Sequence, residues 1–337
     1  MSKPNPQLKA ALLRIIRDAA TPIGSGMIAQ RLREFGIALS PRSVRLNLEQ
    51  LVVEGLITPG GRGRSGGRTI TQAGLREARE GLVYERVGLM SSRVEELAWG
   101  MDFDLSRRRG RVVLNVSVIP ERVLPRAFRE LAGMLGAGLG MSPYVGLFAA
   151  GEQLGTVQIP KGHMGLGTVC SVALNGVLLA AGIPISPVFA AVLDLRDGVP
   201  VRFTDILHYD GTSLDPIPVF IKGGLLSVRL AAKGTGRLGV SVREAPAGAA
   251  RAAERVLRRA EKAGLGRPLL VEGPATHLLG MPLAAGRTAL VIPAGLNAMA
   301  AADEARVPVE HYSAVCLHPF EQLMPYREMA GELGIAL

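Results

Sequence analysis

Apolar positions in the first eighty residues recur every three to four places and are cut into short runs by Pro, Gly and Ser. Leu8, Leu12, Ile15 and Ile16 share one face of a helix over Leu8–Ala19, while Lys9, Arg14 and Arg17 fall elsewhere. Thr21-Pro22-Ile23-Gly24 ends it, because proline lacks the backbone donor and disfavours helix before it. Ser25 is placed to cap a second helix, Gly26–Phe35, that buries Ile28 and Leu32 and stops at Gly36. Ser40-Pro41 supplies a cap and a first-turn proline for a third helix to about Glu54, with Val44, Leu48 and Leu51 inward. Leu56-Ile57-Thr58 and Thr69-Ile70-Thr71 then read as extended stretches flanking a Gly- and Arg-rich tip. Three helices and a hairpin in this order predict a winged helix-turn-helix over residues 1–75.

The next apolar period lies in Leu75–Trp99, where Val83, Val87, Met90, Val94 and Leu97 are spaced four, three, four, three. Gly81 and Gly88 interrupt this seam, so it fits packing on the chain's own body as well as a short dimer contact. Residues 76–109 are therefore read as connecting helix and linker, closed by the solvated run Arg107-Arg108-Arg109. Beyond it, Arg111–Ile119 has the β-branched content of a strand and Pro125–Leu135 is an amphipathic helix. Gly165–Pro184 reads as loop, strand, turn at Asn175-Gly176, then a short helix ending at Gly182. A similar order recurs at Gly286–Pro308, and Ala-Gly-Ile-Pro-Ile (181–185) matches Ala-Arg-Val-Pro-Val (305–309), implying a diverged duplication spaced by about 120 residues. Gly234-Thr-Gly-Arg-Leu-Gly239 fits the dinucleotide fingerprint by letter, but a strand follows where that site needs a helix, so it reads as a hairpin turn. The predicted class is α+β: an N-terminal winged helix and a larger mixed α/β effector domain, 110–337, containing either an internal duplication or two ordinary strand–helix units.

Charge sharpens this division. The chain carries +10 in 337 residues. Residues 1–80 hold thirteen Lys/Arg against six Asp/Glu, so +7 of it sits there. Concentrated basic charge favours a polyphosphate partner, here double-stranded DNA. On the third helix Arg42, Ser43, Leu46 and Glu49 point mainly outward, with Arg45 and Asn47 at the flanks, and Arg42, Ser43, Arg45 and Asn47 are the candidates to reach base edges or phosphates. Arg62, Arg64 and Arg68 populate the wing; a merely solvated basic loop is the alternative.

Two cysteines, Cys170 and Cys316, imply no disulfide framework, and the N-terminus has no apolar signal core. Leu131–Gly151 and Met164–Leu193 are uncharged but broken by Gly, Pro and Asn, so a soluble cytoplasmic chain without membrane partners is expected. The five histidines show no metal-ligand spacing, and no nucleophile elbow or phosphate loop is present, so neither a metal nor a cofactor is expected.

Several stretches are specific enough to carry a resemblance. Arg68-Thr-Ile-Thr-Gln-Ala-Gly-Leu75 is similar to the wing-to-helix sequence of archaeal winged-helix repressors. Glu85-Arg-Val-Gly88 with Val94-Glu-Glu-Leu-Ala98, Val112-Val-Leu-Asn-Val-Ser117, Gly167-Thr-Val-Cys-Ser171 with Gly182-Ile-Pro184, and Gly211-Thr-Ser-Leu-Asp-Pro216 together resemble the NrpR nitrogen-regulatory repressors of methanogenic archaea. The resemblance spans nearly the whole chain, with room for one regulatory domain, and His277-Leu-Leu-Gly-Met-Pro is less typical of it. It implies a repressor of nitrogen-fixation and nitrogen-assimilation genes, relieved when 2-oxoglutarate binds the regulatory domain; a homodimer is expected separately, because one winged helix rarely gives enough affinity or site length. A sister regulator subunit is a further possible partner.

A dicarboxylate needs hydroxyls and backbone N–H groups at a turn or helix start, and at least one cation. Gly167, Thr168, Cys170 and Ser171 in one segment, and Thr212, Ser213 and Asp215 in another, meet the first need. Lys161, Arg202 and Lys222 are the cations nearby in sequence, and Lys222 is the choice because Gly223-Gly224 follows it. Each residue also fits a structural role: an Asp-capped turn at 212–216, a buried strand cysteine at 170. Two rival classes remain at this level: an enzyme with an appended nucleic-acid module and a pocket at Cys170 and Thr212, and a partner-dependent regulator without a small ligand.

Overall fold

The computed structural model describes residues 6–19, 21–34, 37–59, 67–80, 89–273 and 277–337. The chain forms two compact units, Met1–Arg86 and Val87–Leu337. The sequence reading placed its boundaries at 75 and 109.

In the first unit, α1 (Pro6–Arg17), α2 (Ser25–Glu34) and α3 (Pro41–Val53) are followed by α4 (Gln72–Glu80). Ser40 caps α3 as expected, its hydroxyl accepting from the Ser43 amide at 3.1 Å, and Gly55 turns the chain out at φ +71°. Helix α2 begins one residue earlier than expected. Ser25 lies inside it, and the Gly24 carbonyl accepts the first bond, from Ile28 at 3.1 Å. Bridges Ile23↔Arg68 and Ile57↔Ile70 tie the wing base to the helices. Leu12, Ile28, Leu32, Val44, Leu48 and Leu51 form a closed core. The stop at Phe35-Gly36 and the wing tip with Arg62 and Arg64 lie outside the described residues.

The second unit opens with α5 (Leu89–Trp99), whose Val94 and Ala98 are buried against Val113, Cys170, Val172 and Ala314. Helix α5 thus packs on its own body. The upper half of the expected seam, Val83 and Val87 with Gly81 and Gly88, lies outside the described residues.

Two five-stranded antiparallel sheets follow. The elements are β1 (Arg111–Pro120), α6 (Leu124–Gly136), β2 (Tyr144–Phe148), β3 (His163–Val169), α7 (Val172–Ala180), β4 (Ser186–Arg196) and β5 (Val199–His208). Next come α8 (Pro216–Lys222), the single turn α9 (Val228–Ala231), β6 (Gly236–Pro246), α10 (Ala250–Lys262), β7 (Leu270–Glu272), β8 (Arg287–Pro293), α11 (Asn297–Glu304), β9 (Glu310–Pro319), β10 (Met324–Pro325) and α12 (Tyr326–Glu332). The sheet orders are β9-β1-β3-β2-β10 and β5-β4-β6-β8-β7.

These orders display the duplication. Strand β1, the turn at Pro120 and α6 recur as β6, the turn at Pro246 and α10; β3–α7–β4 recurs as β8–α11–β9, 124 positions on. The helix ends match too. Ile183 donates to Leu178 at 3.0 Å beyond Gly182, and Val307 to Ala302 at 2.9 Å beyond Arg306. Gly182 and Arg306 both take positive φ, +75° and +56°. The last strand of each half is exchanged: β4 pairs with β6 of the second half, and β9 with β1 of the first. Helices cross over likewise, α6 packing on α11 and α10 on α7. Both cores therefore mix residues of both halves.

Two local readings change. Asn175 and Gly176 sit inside α7 rather than in a turn. The Asn175 side chain accepts from Arg243 Nε at 3.1 Å, and Gly176 lies so close to Met101 that a Cβ would meet its Sδ at 2.3 Å. Tertiary contacts thus override the turn preference of Asn-Gly. The Gly234–Gly239 segment enters β6 from the single turn α9, so it is not a hairpin; β6 does continue as a strand.

Gly295 shows how tightly the halves meet, since a Cβ there would lie 2.2 Å from the Val169 carbonyl oxygen and 2.5 Å from Asn115 Nδ2. Gly295→Ala is expected to lower stability by about 1–3 kcal/mol in thermal or urea unfolding. Gly133→Ala, on an exposed helix position with open space around it, should raise stability by up to about 1 kcal/mol.

Candidate functional site

On α3, Arg42 and Arg45 are exposed and flank Leu46, itself 49 % exposed. Ser43 is used internally: its hydroxyl and that of Ser40 are 2.9 Å apart. Asn47 donates to the Ser43 carbonyl at 2.8 Å. The helix therefore presents Arg42, Arg45, Leu46 and Glu49, of which the arginines are cations for guanine or phosphate, Leu46 an apolar side chain for a thymine methyl, and Glu49 an acceptor for cytosine. Arg68 pairs its backbone with Ile23 in both directions and reaches the Thr58 carbonyl at 3.5 Å, which places it at the wing base.

The second site lies where the two halves of the body meet. Cys170, Ser171 and Val172 at the start of α7 and their repeat counterparts Ala294, Gly295 and Leu296 before α11 line one small cavity. Asn115, Tyr209, Asp215, Ser313 and Arg243 complete its walls, with Met90 and Val94 of α5. Its volume is about 30 Å³, close to the share of one water. Of the residues proposed from sequence, the structure brings Cys170, Ser171 and Asp215 together here. Gly167 and Thr168 lie behind it in β3, Thr168 Oγ1 standing 3.5 Å from Asn115 Nδ2. Thr212 bonds its own turn at Leu214, and Thr212 and Ser213 are outside the lining.

The cation in this cavity is Arg243, which sequence reasoning missed. It is 1 % exposed. Its Nε donates to Asn175 Oδ1 at 3.1 Å, one terminal nitrogen donates to Ser241, and the guanidinium lies 5.3 Å from the Tyr209 ring centroid. Among the described residues no carboxylate forms an ion pair with it and none bonds its other terminal nitrogen. Buried arginines are ordinarily paired with an anion. Asp215 lines the same cavity, but burial pushes its carboxyl above the usual range against the hydrogen bond from Ser313. The available signal was a cation on the alternating stretch Leu238-Gly-Val-Ser-Val-Arg243, at a position where the other strand residues are small or apolar.

Lys222, the cation chosen from sequence, is elsewhere. It ion-pairs with Asp303 and donates to the Val309 carbonyl at 2.8 Å, beside a larger cleft of about 340 Å³ that also carries Glu310. Asp303 accepts from His311 Nε2 at 3.2 Å, and His311 Nδ1 is 3.0 Å from Ser117 Oγ. This series has the connectivity of a hydrolase triad, but Ser117 is fully buried, so it fastens β1, β9 and α11 to one another. The Cys170 thiol is pushed up by burial, the opposite of an activated nucleophile. Among the described residues, no group of His, Cys, Asp and Glu is arranged to hold a metal, and no helix is long and apolar enough to cross a membrane.

Three helices closed by a paired wing base, followed by a duplicated two-sheet body, define a winged-helix protein with an appended α+β domain. Comparison with known proteins gives the family. The profile of NrpR regulatory domains NRD1 and 2 matches residues 87–330, and that of the ribonuclease R winged-helix domain matches 10–78. The global nitrogen regulator NrpRI of Methanosarcina mazei is 30 % identical over 329 residues, covering 96 % of this chain and 98 % of that protein. The global nitrogen regulator NrpR of Methanococcus maripaludis is 26 % identical over 87 % of this chain, which spans 50 % of that longer relative. A crystal structure of a nitrogen repressor-like protein from Methanococcus jannaschii shares the fold, with TM-score 0.60 at 24 % identity, over 70 % of this chain and 98 % of that one. The chain belongs to the NrpR family.

Burial holds the His311 pKa below its ordinary value despite the Asp303 carboxylate beside it, and His318 is lowered by burial in the same way. The unfolded chain binds these protons first. Their contribution to stability is therefore present above about pH 6.5 and lost as pH falls through the depressed folded values. Thermal midpoints should drop between pH 7.5 and 5, and His311→Asn should flatten the drop; an unchanged slope would remove His311 from it.

Proposed function

We propose that this chain is a DNA-binding, nitrogen-regulatory repressor whose hold on its operator is relieved when 2-oxoglutarate binds the body. Its membership of the NrpR family, over the full length of a relative named as a nitrogen regulator, carries this reading. The exposed Arg42 and Arg45 at the start of α3 support groove binding, with Arg62, Arg64 and Arg68 in the wing contacting backbone. Ser43 and Asn47 join them by exchanging their internal bonds for DNA. A homodimer acting through the body would give the two half-sites that a single winged helix lacks. The relatives' names as regulators, the buried Ser117 and the unactivated Cys170 favour a role without catalysis.

For the effector, the cavity at Cys170, Ser171 and Asp215 is the supported site, with Arg243 in place of Lys222 as the cation. A guanidinium without an anion is suited to a carboxylate, which it binds through parallel N–H bonds. Gly167 and Thr168 support this wall from β3, and Thr212 and Ser213 hold the turn that delivers Asp215.

A duplex selected from a random pool by the full-length protein tests the DNA half. Arg42→Ala and Arg45→Ala should each weaken it by about 1–3 kcal/mol and relax specificity. Arg62→Ala with Arg64→Ala should weaken all duplexes alike and reduce the salt slope by up to about one unit per lost contact. Tight selective binding after both α3 changes would refute this assignment. For the effector half, calorimetry should detect 2-oxoglutarate with the native chain and none with Arg243→Met. That variant gives up the bonds to Asn175 and Ser241 but also a buried charge without an anion, two effects of opposite sign, so its melting temperature should change little. A large loss of thermal stability would instead mark Arg243 as structural, and no binding by the native chain at millimolar 2-oxoglutarate would discard the effector.

A further inference from the structure

The effector cavity is too small for its ligand. A dicarboxylate of ten non-hydrogen atoms cannot enter about 30 Å³, which holds one water, so binding must move a wall. Most walls resist. The strand carrying Arg243 is paired on both sides, by β4 and by β8. The starts of α7 and α11 are held by backbone bonds into those sheets, Cys170 to Val113 at 2.8 Å and Ala294 to Gly239 at 2.9 Å. Gly295 is already at the limit of close approach.

Helix α5 is the wall without such ties. Among the described residues it has no backbone bond into either sheet and rests on the body through side chains alone, Val94 and Ala98 with Met90 and Leu97 packed mainly on α7, and Arg93 donating to the Val315 carbonyl at 3.2 Å. Met90, an unbranched and adaptable side chain, and Val94 line the cavity directly. Helix α5 is also the segment by which the chain passes from residues 81–88 into the body.

Resting on the reading above, we infer that 2-oxoglutarate reaches Arg243 by lifting the Met90–Val94 turn of α5, so that the helix leading to the DNA-binding unit is the element the effector moves. Ligand and operator then compete through one helix position. The body with α5 seated favours DNA; the body with α5 lifted favours the dicarboxylate. Each must weaken the other by the same factor.

The test uses the full-length protein, 2-oxoglutarate and the selected duplex. In the native chain, calorimetry with and without duplex should show a mutual weakening of about fivefold or more. Val94→Ala enlarges the cavity beneath the helix, so it should bind 2-oxoglutarate at least as tightly while the mutual weakening falls below about twofold. Hydrogen exchange on the native chain gives a second, independent measure: 2-oxoglutarate should speed exchange in 89–99 and leave 211–222 unchanged. Native coupling retained in Val94→Ala, or faster exchange confined to 211–222, would overturn the α5 route while 2-oxoglutarate binding stands. Absence of any 2-oxoglutarate binding to the native chain would instead overturn the effector reading itself and this route with it.

Discussion

The exchange of the last strand between the two halves of the body is the constraint on which the rest depends. Strand β4 leaves its own half to pair with β6, and β9 leaves its own to pair with β1, in equivalent antiparallel registers. Because helices cross over with the strands, each apolar core is assembled from both halves, and neither half encloses a core alone. The place where the exchange crosses is where two equivalent helix starts face each other. The cavity is a product of that crossing, built from Cys170–Val172 and Ala294–Leu296 alike.

Symmetry of backbone does not extend to charge. The position of Arg243 in β6 corresponds to Ser117 in β1, and Ser117 is spent on a hydrogen bond to His311. One half therefore supplies a cation and the other a neutral fastening. A cavity with two similar ends but one guanidinium gives an asymmetric ligand a single preferred orientation. The guanidinium is costly where it stands, since burying a charge is favourable only when an anion accompanies it.

How much of this was legible in the sequence follows from the range of the interactions. The winged helix was readable nearly residue by residue because its determinants are local: Ser40 and Pro41 at a helix start, Gly55 at its end, Val44, Leu48 and Leu51 on one face. The duplication was visible in the two Ala-x-x-Pro-x motifs, since the same helix ending demands the same turn residues. The strand exchange left no local trace, because pairing partners are chosen by registers distant in sequence. Asn175-Gly176 misled for a related reason: its helical state is imposed by Arg243 and Met101. The surroundings of the cavity were the least local of all. Lys222 was attractive by its glycine neighbours, yet Asp303, eighty-one positions on, had already claimed it, whereas Arg243 lay in a strand that composition alone marked as core.

The exchanged strands also set an order of events for the nascent polypeptide. β1 spans Arg111–Pro120 and is buried on both faces, but the strand that completes its open edge, β9, is not synthesised until residues 310–319. For the intervening two hundred residues β1 offers an unpaired apolar edge, the feature that invites pairing with other chains. The N-terminal unit, whose contacts are short-range, is free to fold on emergence, whereas the body must wait for the ribosome to finish with its last strands. The winged-helix unit is therefore complete while the body is still unfinished, and only closure of β9 onto β1 gives the chain both of its parts.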